Sequence, residues 1–263
     1  MLIIFFIAGL IVGSFLNVII YRLRIMENIM GRSYCPHCKH KIHWFDNIPL
    51  LSFILLGAKC RACKGDISWQ YPLVEFLSGL IFLFTAKYFL IVGNTASYWE
   101  TFFYLTIFSL LLVLMAYDWK FMEVPMIVFW VSLAVVAVYF IFSDYFSLRS
   151  GANAMDLRIV SGLIGGFIAW IFFFSLVFFS KEKWMGWGDV YVGALAGAIL
   201  DWPGILLGLM LSFTFGAVYA IIIVAMGKKN MKSQVPFIPF LVLGTITAVF
   251  AGKFFPIAEY LYF

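Results

Sequence analysis

Gly186-Trp187-Gly188-Asp189 is followed by residues 190–200, Val-Tyr-Val-Gly-Ala-Leu-Ala-Gly-Ala-Ile-Leu, which carry no charge. Gly193 and Gly197, with Ala194 and Ala198, recur at helical spacing, a pattern that lets helices approach closely in lipid. Asp189 therefore stands where a membrane helix begins. An ionisable group at that place is costly unless it is solvated, paired or used, so it is a candidate functional residue. The competing reading is a carboxylate favoured at a helix start for capping alone. A second carboxylate decides between them.

The composition sets the class. Of 263 residues, 64% are hydrophobic, 20% aromatic and 12% charged. Soluble domains carry about 25% charged residues, so the chain reads as a polytopic, all-α membrane protein. Its net charge of +5 matters less than where the Lys and Arg fall, and no nucleic-acid partner is expected. The first apolar run continues without a small-residue cleavage site and ends in Arg22 and Arg24, so no cleavable signal peptide is expected.

Working outward, apolar stretches at 1–21, 73–92, 99–117, 125–142, 159–179, 189–200, 205–226 and 239–255 give about eight transmembrane helices. Pro125 is tolerated in the first turn of the fourth, and polar loops are expected at 143–157 and 227–232. Residues 22–72 differ: they are polar and basic, and hold all four cysteines and His37, His40 and His43. The expected organisation is a first helix at 1–21, a small zinc-binding domain at 22–72 and a membrane domain at 73–263. Alternate connections carry most of the basic residues: Arg22 to Lys64, Lys120, Lys181 with Lys183, then Lys228, Lys229 and Lys232. The opposite side has chiefly Arg149 and Arg158, offset by Asp144 and Asp156, with Lys253 near the end of the last span. The positive-inside rule then makes the cysteine segment cytoplasmic and puts both termini outside. Asp118 ends an inward-running span and Asp189 starts an outward-running one, so both fall at the cytoplasmic face.

Two carboxylates at one depth suit an aspartic protease. One takes a proton from water while the other, protonated, polarises the scissile carbonyl; held close, the pair shares a proton and titrates as a unit. The chain has no Gly-x-Ser-x-Gly elbow, His-Glu-x-x-His or Gly-rich phosphate loop to offer a better set. For Asp118 the alternative is a loop carboxylate solvating a helix end near Lys120.

Cys35-Pro36-His37-Cys38 and Cys60-Arg61-Ala62-Cys63 are two C-x2-C pairs separated by 21 residues. The spacing is slightly long for four-cysteine zinc but suits a closed tetrahedral site with two knuckles, and a reducing compartment favours thiolate–metal over disulfide. Four thiolates leave no open position, so the zinc is structural and the three histidines are surface residues. Glu75 faces the active site or caps its helix, the residues leaving both open, and Asp201 on the far side reads as a turn residue.

Gly13-Ser14-Phe15-Leu16-Asn17-Val18-Ile19-Ile20-Tyr21-Arg22 resembles the amino-terminal signature of type IV prepilin peptidases. So do Arg32-Ser33-Tyr34-Cys35-Pro36-His37-Cys38, Asn47-Ile48-Pro49-Leu50-Leu51-Ser52, Cys60-Arg61-Ala62-Cys63 and Ile67-Ser68-Trp69-Gln70-Tyr71-Pro72-Leu73-Val74-Glu75. Asp118 with Pro125, and Gly186-Trp187-Gly188-Asp189, complete the set in family order, from near residue 9 to about 202. The Tyr117-Asp118 and Gly-x-Gly-Asp pair is also similar to the wider presenilin-like group, which lacks the cysteine domain. The resemblance implies catalysis by Asp118 and Asp189, supported by Gly186 and Gly188, and zinc on Cys35, Cys38, Cys60 and Cys63. It implies a bacterial inner-membrane enzyme that cleaves the basic leader of prepilins or pseudopilins on the cytoplasmic side. The same enzyme then methylates the new amino terminus from S-adenosylmethionine, for which no binding residue is assigned.

Departures from the family narrow the reading. Pro is often found where Arg24 stands and Gly where Asp201 stands, and the connection from Arg22 to Cys35 looks short, which keeps a peptidase without methyl transfer as one alternative. A non-catalytic zinc-stabilised scaffold or transporter is the other, although no internal symmetry of broken helices is visible. The specific pilin and the oligomeric state are not legible. Relatives commonly have Lys where Tyr191 stands; without that cation the acidic limb of the pH–activity profile is expected to lie higher than in Lys-containing relatives. Tyr191→Lys should move that limb to lower pH, and an unchanged profile would refute the idea.

Overall fold

The computed structural model describes residues 1–149, 157–227 and 235–254. Lys228, Lys229, Lys232 and Asp156, used above for orientation, lie outside the described residues, as does most of the basic 227–232 loop. The helices are α1 (Leu2–Ile25), α2 (Leu51–Leu55), α3 (Gln70–Phe89), α4 (Thr95–Phe121), α5 (Met126–Arg149), α6 (Arg158–Ser180), α7 (Trp187–Leu200), α8 (Gly204–Ala225) and α9 (Ile238–Phe254), with a 3-10 turn at Trp44–Asn47. Among the described residues the β structure is limited to two isolated bridges, Tyr34 with Lys41 and Lys59 with Asp66. The protein is all-helical in its regular structure. Six helices, α1, α3, α4, α5, α6 and α8, are long and apolar enough to cross a membrane. The other two of the eight expected spans, α7 and α9, are shorter, at 14 and 17 residues.

At two helix ends that run past the sequence reading a charged residue is buried, each for the same physical reason. Helix α1 runs past Tyr21 to Ile25 before Met26 turns left-handed at φ 53°. Arg22, expected to open the polar loop, is instead helical and buried. Its guanidinium donates to the backbone oxygens of Asn28, Ile29 and Arg32 at 3.0, 2.7 and 2.9 Å, which is how a buried charge is made tolerable. Helix α5 runs to Arg149 and takes in Asp144, which was expected in a loop. Asp144 is buried because its two carboxylate oxygens accept the first amides of α6, from Arg158 and Ile159, both at 2.9 Å.

The chain divides into two compact units, Met1–Ala116 and Tyr117–Phe263. In the first, α1 lies against α3 because Gly9 and Gly13 carry no side chain: a Cβ there would sit 2.6 Å from the Ser78 oxygen and 2.7 Å from the Glu75 Cα. In the second, α7 presses its small-residue face on α6. A Cβ on Gly197 would lie 2.3 Å from the Gly165 carbonyl oxygen, Gly193 faces the Phe173 ring, and Ala194 and Ala198 face Gly166.

This approach is backbone on backbone, so it has no flexible side chain to yield. Gly197→Val is expected to destabilise the detergent-solubilised protein by about 1–3 kcal/mol or more, as overpacked cores do. The same change in size at Gly252, where an added Cβ would meet nothing within 4 Å, Gly252→Val, should leave the unfolding midpoint nearly unmoved. Equal midpoints for the two variants would remove the argument.

Candidate active site and metal centre

Asp118 lies in the last turn of α4, at the end of the span as expected; the helix continues to Phe121, and Met122, at φ 53°, ends it by donating to the Asp118 backbone oxygen at 2.8 Å. The Asp118 side chain is buried, interacts with the backbone amide of Ile238, and leaves Oδ2 without a partner among the described residues. Asp189 is also buried. It is the third residue of α7, whose N-cap is Gly186, and its Oδ2 accepts the Gly186 amide at 3.1 Å. This is one half of a capping box; glycine has no side chain to return the other half. Asp189 thus performs the helix-start duty weighed above, from the N3 position and through one oxygen.

Both aspartates line a single cavity of about 950 Å³. All the residues that line this cavity belong to the second unit. Tyr191 lines the same cavity and packs its ring 5.7 Å from that of Phe129. Gly186 and Gly188 have different reasons. A Cβ on Gly188 would come within 2.6 Å of the Val124 side chain, whereas one on Gly186 would meet nothing within 4 Å. Gly188 is therefore needed for packing, and Gly186 supplies its amide.

The sequence reading missed the segment Val235-Pro236-Phe237-Ile238, which forms another wall of this cavity. Its only legible signal was the pair of prolines, Pro236 and Pro239, bracketing the start of α9. Asp201 sits in the turn after α7, with φ 58°, as expected. Glu75 does not cap its own helix: buried in α3, it accepts the Leu50 backbone N–H at 2.8 Å.

The first unit brings the four cysteines together. Their sulfurs all lie within 4.8 Å of one another, with Cys35 and Cys63 at 3.9 Å. Zinc–sulfur bonds of ~2.3 Å in a tetrahedron put sulfurs about 3.8 Å apart, so the donor set fits a four-thiolate metal. Two matching turns build it. Cys35 exchanges backbone hydrogen bonds with Lys39 and His40, and Cys60 with Lys64 and Gly65, at 2.8–3.0 Å. Lys39 and Lys64 take the left-handed conformation at φ 57° and 58°. The Cys63 and Ala62 amides point at the Cys60 sulfur and bring its thiol down to about 7, which favours the metal-binding thiolate. His37, His40 and His43 are exposed and outside the cluster.

Arg61 ties the second knuckle to the 3-10 turn, donating to both oxygens of Asp46 at 2.7–3.2 Å. The hydrogen bond from Arg61 holds the Asp46 carboxyl below its usual range. What the pair contributes is therefore present at neutral pH and lost as the pH falls through the carboxylate range.

The comparisons with known proteins cover both units. The family model for the Bacterial Peptidase A24 N-terminal domain matches residues 7–89, and that for the Type IV leader peptidase family matches residues 105–221. A prepilin leader peptidase/N-methyltransferase of Stutzerimonas stutzeri is 30% identical over 273 residues, covering 93% of this chain and 88% of the relative. Its counterpart in Aeromonas hydrophila is 29% identical over 276 residues, covering 94% and 89%. The Myxococcus xanthus protein of the same name is 34% identical over 237 residues, covering 87% and 65%. No solved structure matches the chain.

The sulfur geometry carries its own test. Purified protein is expected to hold about one zinc per chain, measured by plasma mass spectrometry. Cys60→Ala should lose it, and chelation should make exposed Cys38 and Cys63 reactive to maleimide. Full zinc content in Cys60→Ala would exclude the four-thiolate site.

Proposed function

Because the chain belongs to the type IV leader peptidase family, we propose that it cleaves the basic leader from prepilins or pseudopilins with Asp118 and Asp189 and then N-methylates the new amino terminus. The observation that carries the peptidase assignment is the single cavity lined by both carboxylates. One carboxylate removes a proton from water as the oxygen attacks the scissile carbonyl. The other, holding a proton, donates to the carbonyl oxygen as it gains charge, and the departing amine is protonated as the carbon–nitrogen bond breaks. The pair, sharing one proton, can perform both roles without a metal at the reacting atoms. Zinc, on Cys35, Cys38, Cys60 and Cys63, is structural. S-adenosylmethionine, when bound, supplies the methyl group; the residues that hold it are left unassigned, since the chain has no Gly-rich nucleotide fingerprint.

The setting is the bacterial inner membrane, with the cysteine segment and both aspartates on the cytoplasmic side. Basic residues on alternate connections support this orientation. The expected substrate side is the same, because the leader is basic and is retained in the cytoplasm by the same rule.

The direct test is processing of a leader-bearing prepilin in membranes by wild type, Asp118→Asn and Asp189→Asn, read by mass spectrometry with S-adenosylmethionine present. Each substitution should reduce cleavage by about 10²–10⁴-fold or more, the worth of a general acid or base, with no loss of folded protein. Wild-type product should carry one added methyl mass. Cleavage surviving both substitutions would remove the aspartic mechanism, and unmethylated product would leave the peptidase alone.

A further inference from the structure

The segment between the two knuckles exposes more apolar surface than a small water-facing domain tolerates. In α2, Ile54 and Leu55 are 73% and 74% exposed, and Leu51 is nearly half exposed. Trp44 and Phe45 before it, and Trp69 after it, are exposed as well. Patches of this kind mark an interaction surface.

Three contacts fix where that surface lies. The Leu50 amide, immediately before α2, donates to Glu75 at 2.8 Å. Glu75 is five residues into α3, about 7.5 Å below the helix start at 1.5 Å per residue. Phe53 of α2 packs on Trp69 with ring centroids 5.0 Å apart, and Ser52 donates to the Phe45 oxygen at 2.9 Å, closing α2 onto the 3-10 turn. Since α3 is long and apolar enough to cross the membrane, α2 is held beside its first two turns, at the depth of the headgroup–acyl boundary. On the same first two turns of α3, Leu73 and Phe76 are exposed, and Phe76 meets Phe6 of α1 edge to face. The apolar side chains exposed on α2 and at the start of α3 thus fall within the same stretch of α3's length. The surrounding polar segment, residues 22–72, carries eight Lys and Arg against three Asp and Glu, a balance complementary to anionic headgroups.

We propose that α2, with Trp44 and Trp69, is an interfacial anchor that inserts its Leu51, Ile54 and Leu55 face into one leaflet of an anionic bilayer and seats the cysteine knuckles against that leaflet. Aromatic rings at the boundary and an apolar face below it are the arrangement interfacial helices use. Glu75 is the positioning residue: it sets the depth of α2 by holding the Leu50 amide.

The test uses the full chain in vesicles of phosphatidylethanolamine and phosphatidylglycerol containing a phosphatidylglycerol with a diazirine in its acyl chain. After photolysis, labelled residues are mapped by peptide mass spectrometry, with no prepilin present. Label at 51–55 should come within about twofold of that on Leu73 and Phe76, as expected of a face inserted into the acyl boundary. Ile54→Glu with Leu55→Glu should lose label at 51–55 while keeping it on α3, which also shows that the variant remains folded and inserted. Glu75→Gln, which keeps an acceptor for Leu50, should retain most of the label. Labelling confined to α3 in wild type would overturn the proposal. So would protection of 51–55 by a second copy, seen as cross-links between chains in place of lipid adducts.

Discussion

Backbone that is not helical cannot sit in lipid unless its polar groups are satisfied or face water, and the second unit is arranged around that constraint. Helix α7 has 14 residues, about 21 Å at 1.5 Å per residue, against a hydrocarbon core of about 30 Å. Helix α9 is short as well. Each is therefore preceded by non-helical chain that must be accommodated near membrane depth, residues 181–186 in one case and 235–237 in the other. Both segments contribute to the cavity that Asp118 and Asp189 line. The proposed mechanism needs water at these carboxylates, and the two short helices, whose starts both line the cavity, leave a recess for it.

The first unit solves a different problem. Residues 26–69 contain one short α-helix, one 3-10 turn and two isolated bridges, too little regular structure to bury a sizeable core. Its order comes from the two knuckles, the four sulfurs between them, the Arg61–Asp46 pair and the three carbonyls gathered by Arg22. A metal held by the four thiolates would supply folding energy that apolar burial does not. Here much of the apolar surface points outward.

Much of this was legible because the chemistry is local. The C-x2-C pairs declare their site by spacing, Asp189 is marked by the glycines before it, and Gly197 declares a close helix contact that Gly165 then completes. The parity of basic connections placed Asp118 at the depth of Asp189. What was not legible depends on partners distant in sequence. Arg22 reads as a loop residue until the carbonyls of 28–32 are seen around it. Asp144 reads as one until the amides of α6, 14 and 15 residues on, are seen bonded to it. The wall at 235–238 belongs to an apolar run whose pattern is that of any membrane helix. Glu75 left two choices open because its true partner is a backbone amide 25 residues before it.

The two ends of the second unit differ in what surrounds their carboxylates. At the far end α5 ends, α6 begins, α7 ends and α8 begins, and the backbone groups those ends expose are taken up by side chains. Asp144 receives the first amides of α6, and Tyr139 receives the Arg158 guanidinium at 2.8 Å. Ser161 both donates to the Trp202 oxygen and accepts its amide, at 3.0 and 3.1 Å. Among the described residues Asp201 Oδ1 is left without a partner at this end, and at the other Asp118 Oδ2 is, while Asp189 returns one oxygen to Gly186. A carboxylate oxygen left unmatched in a buried place is costly for stability alone. Of the two residues only Asp118 lines the cavity, where the proposed mechanism supplies water or a scissile carbonyl as its partner.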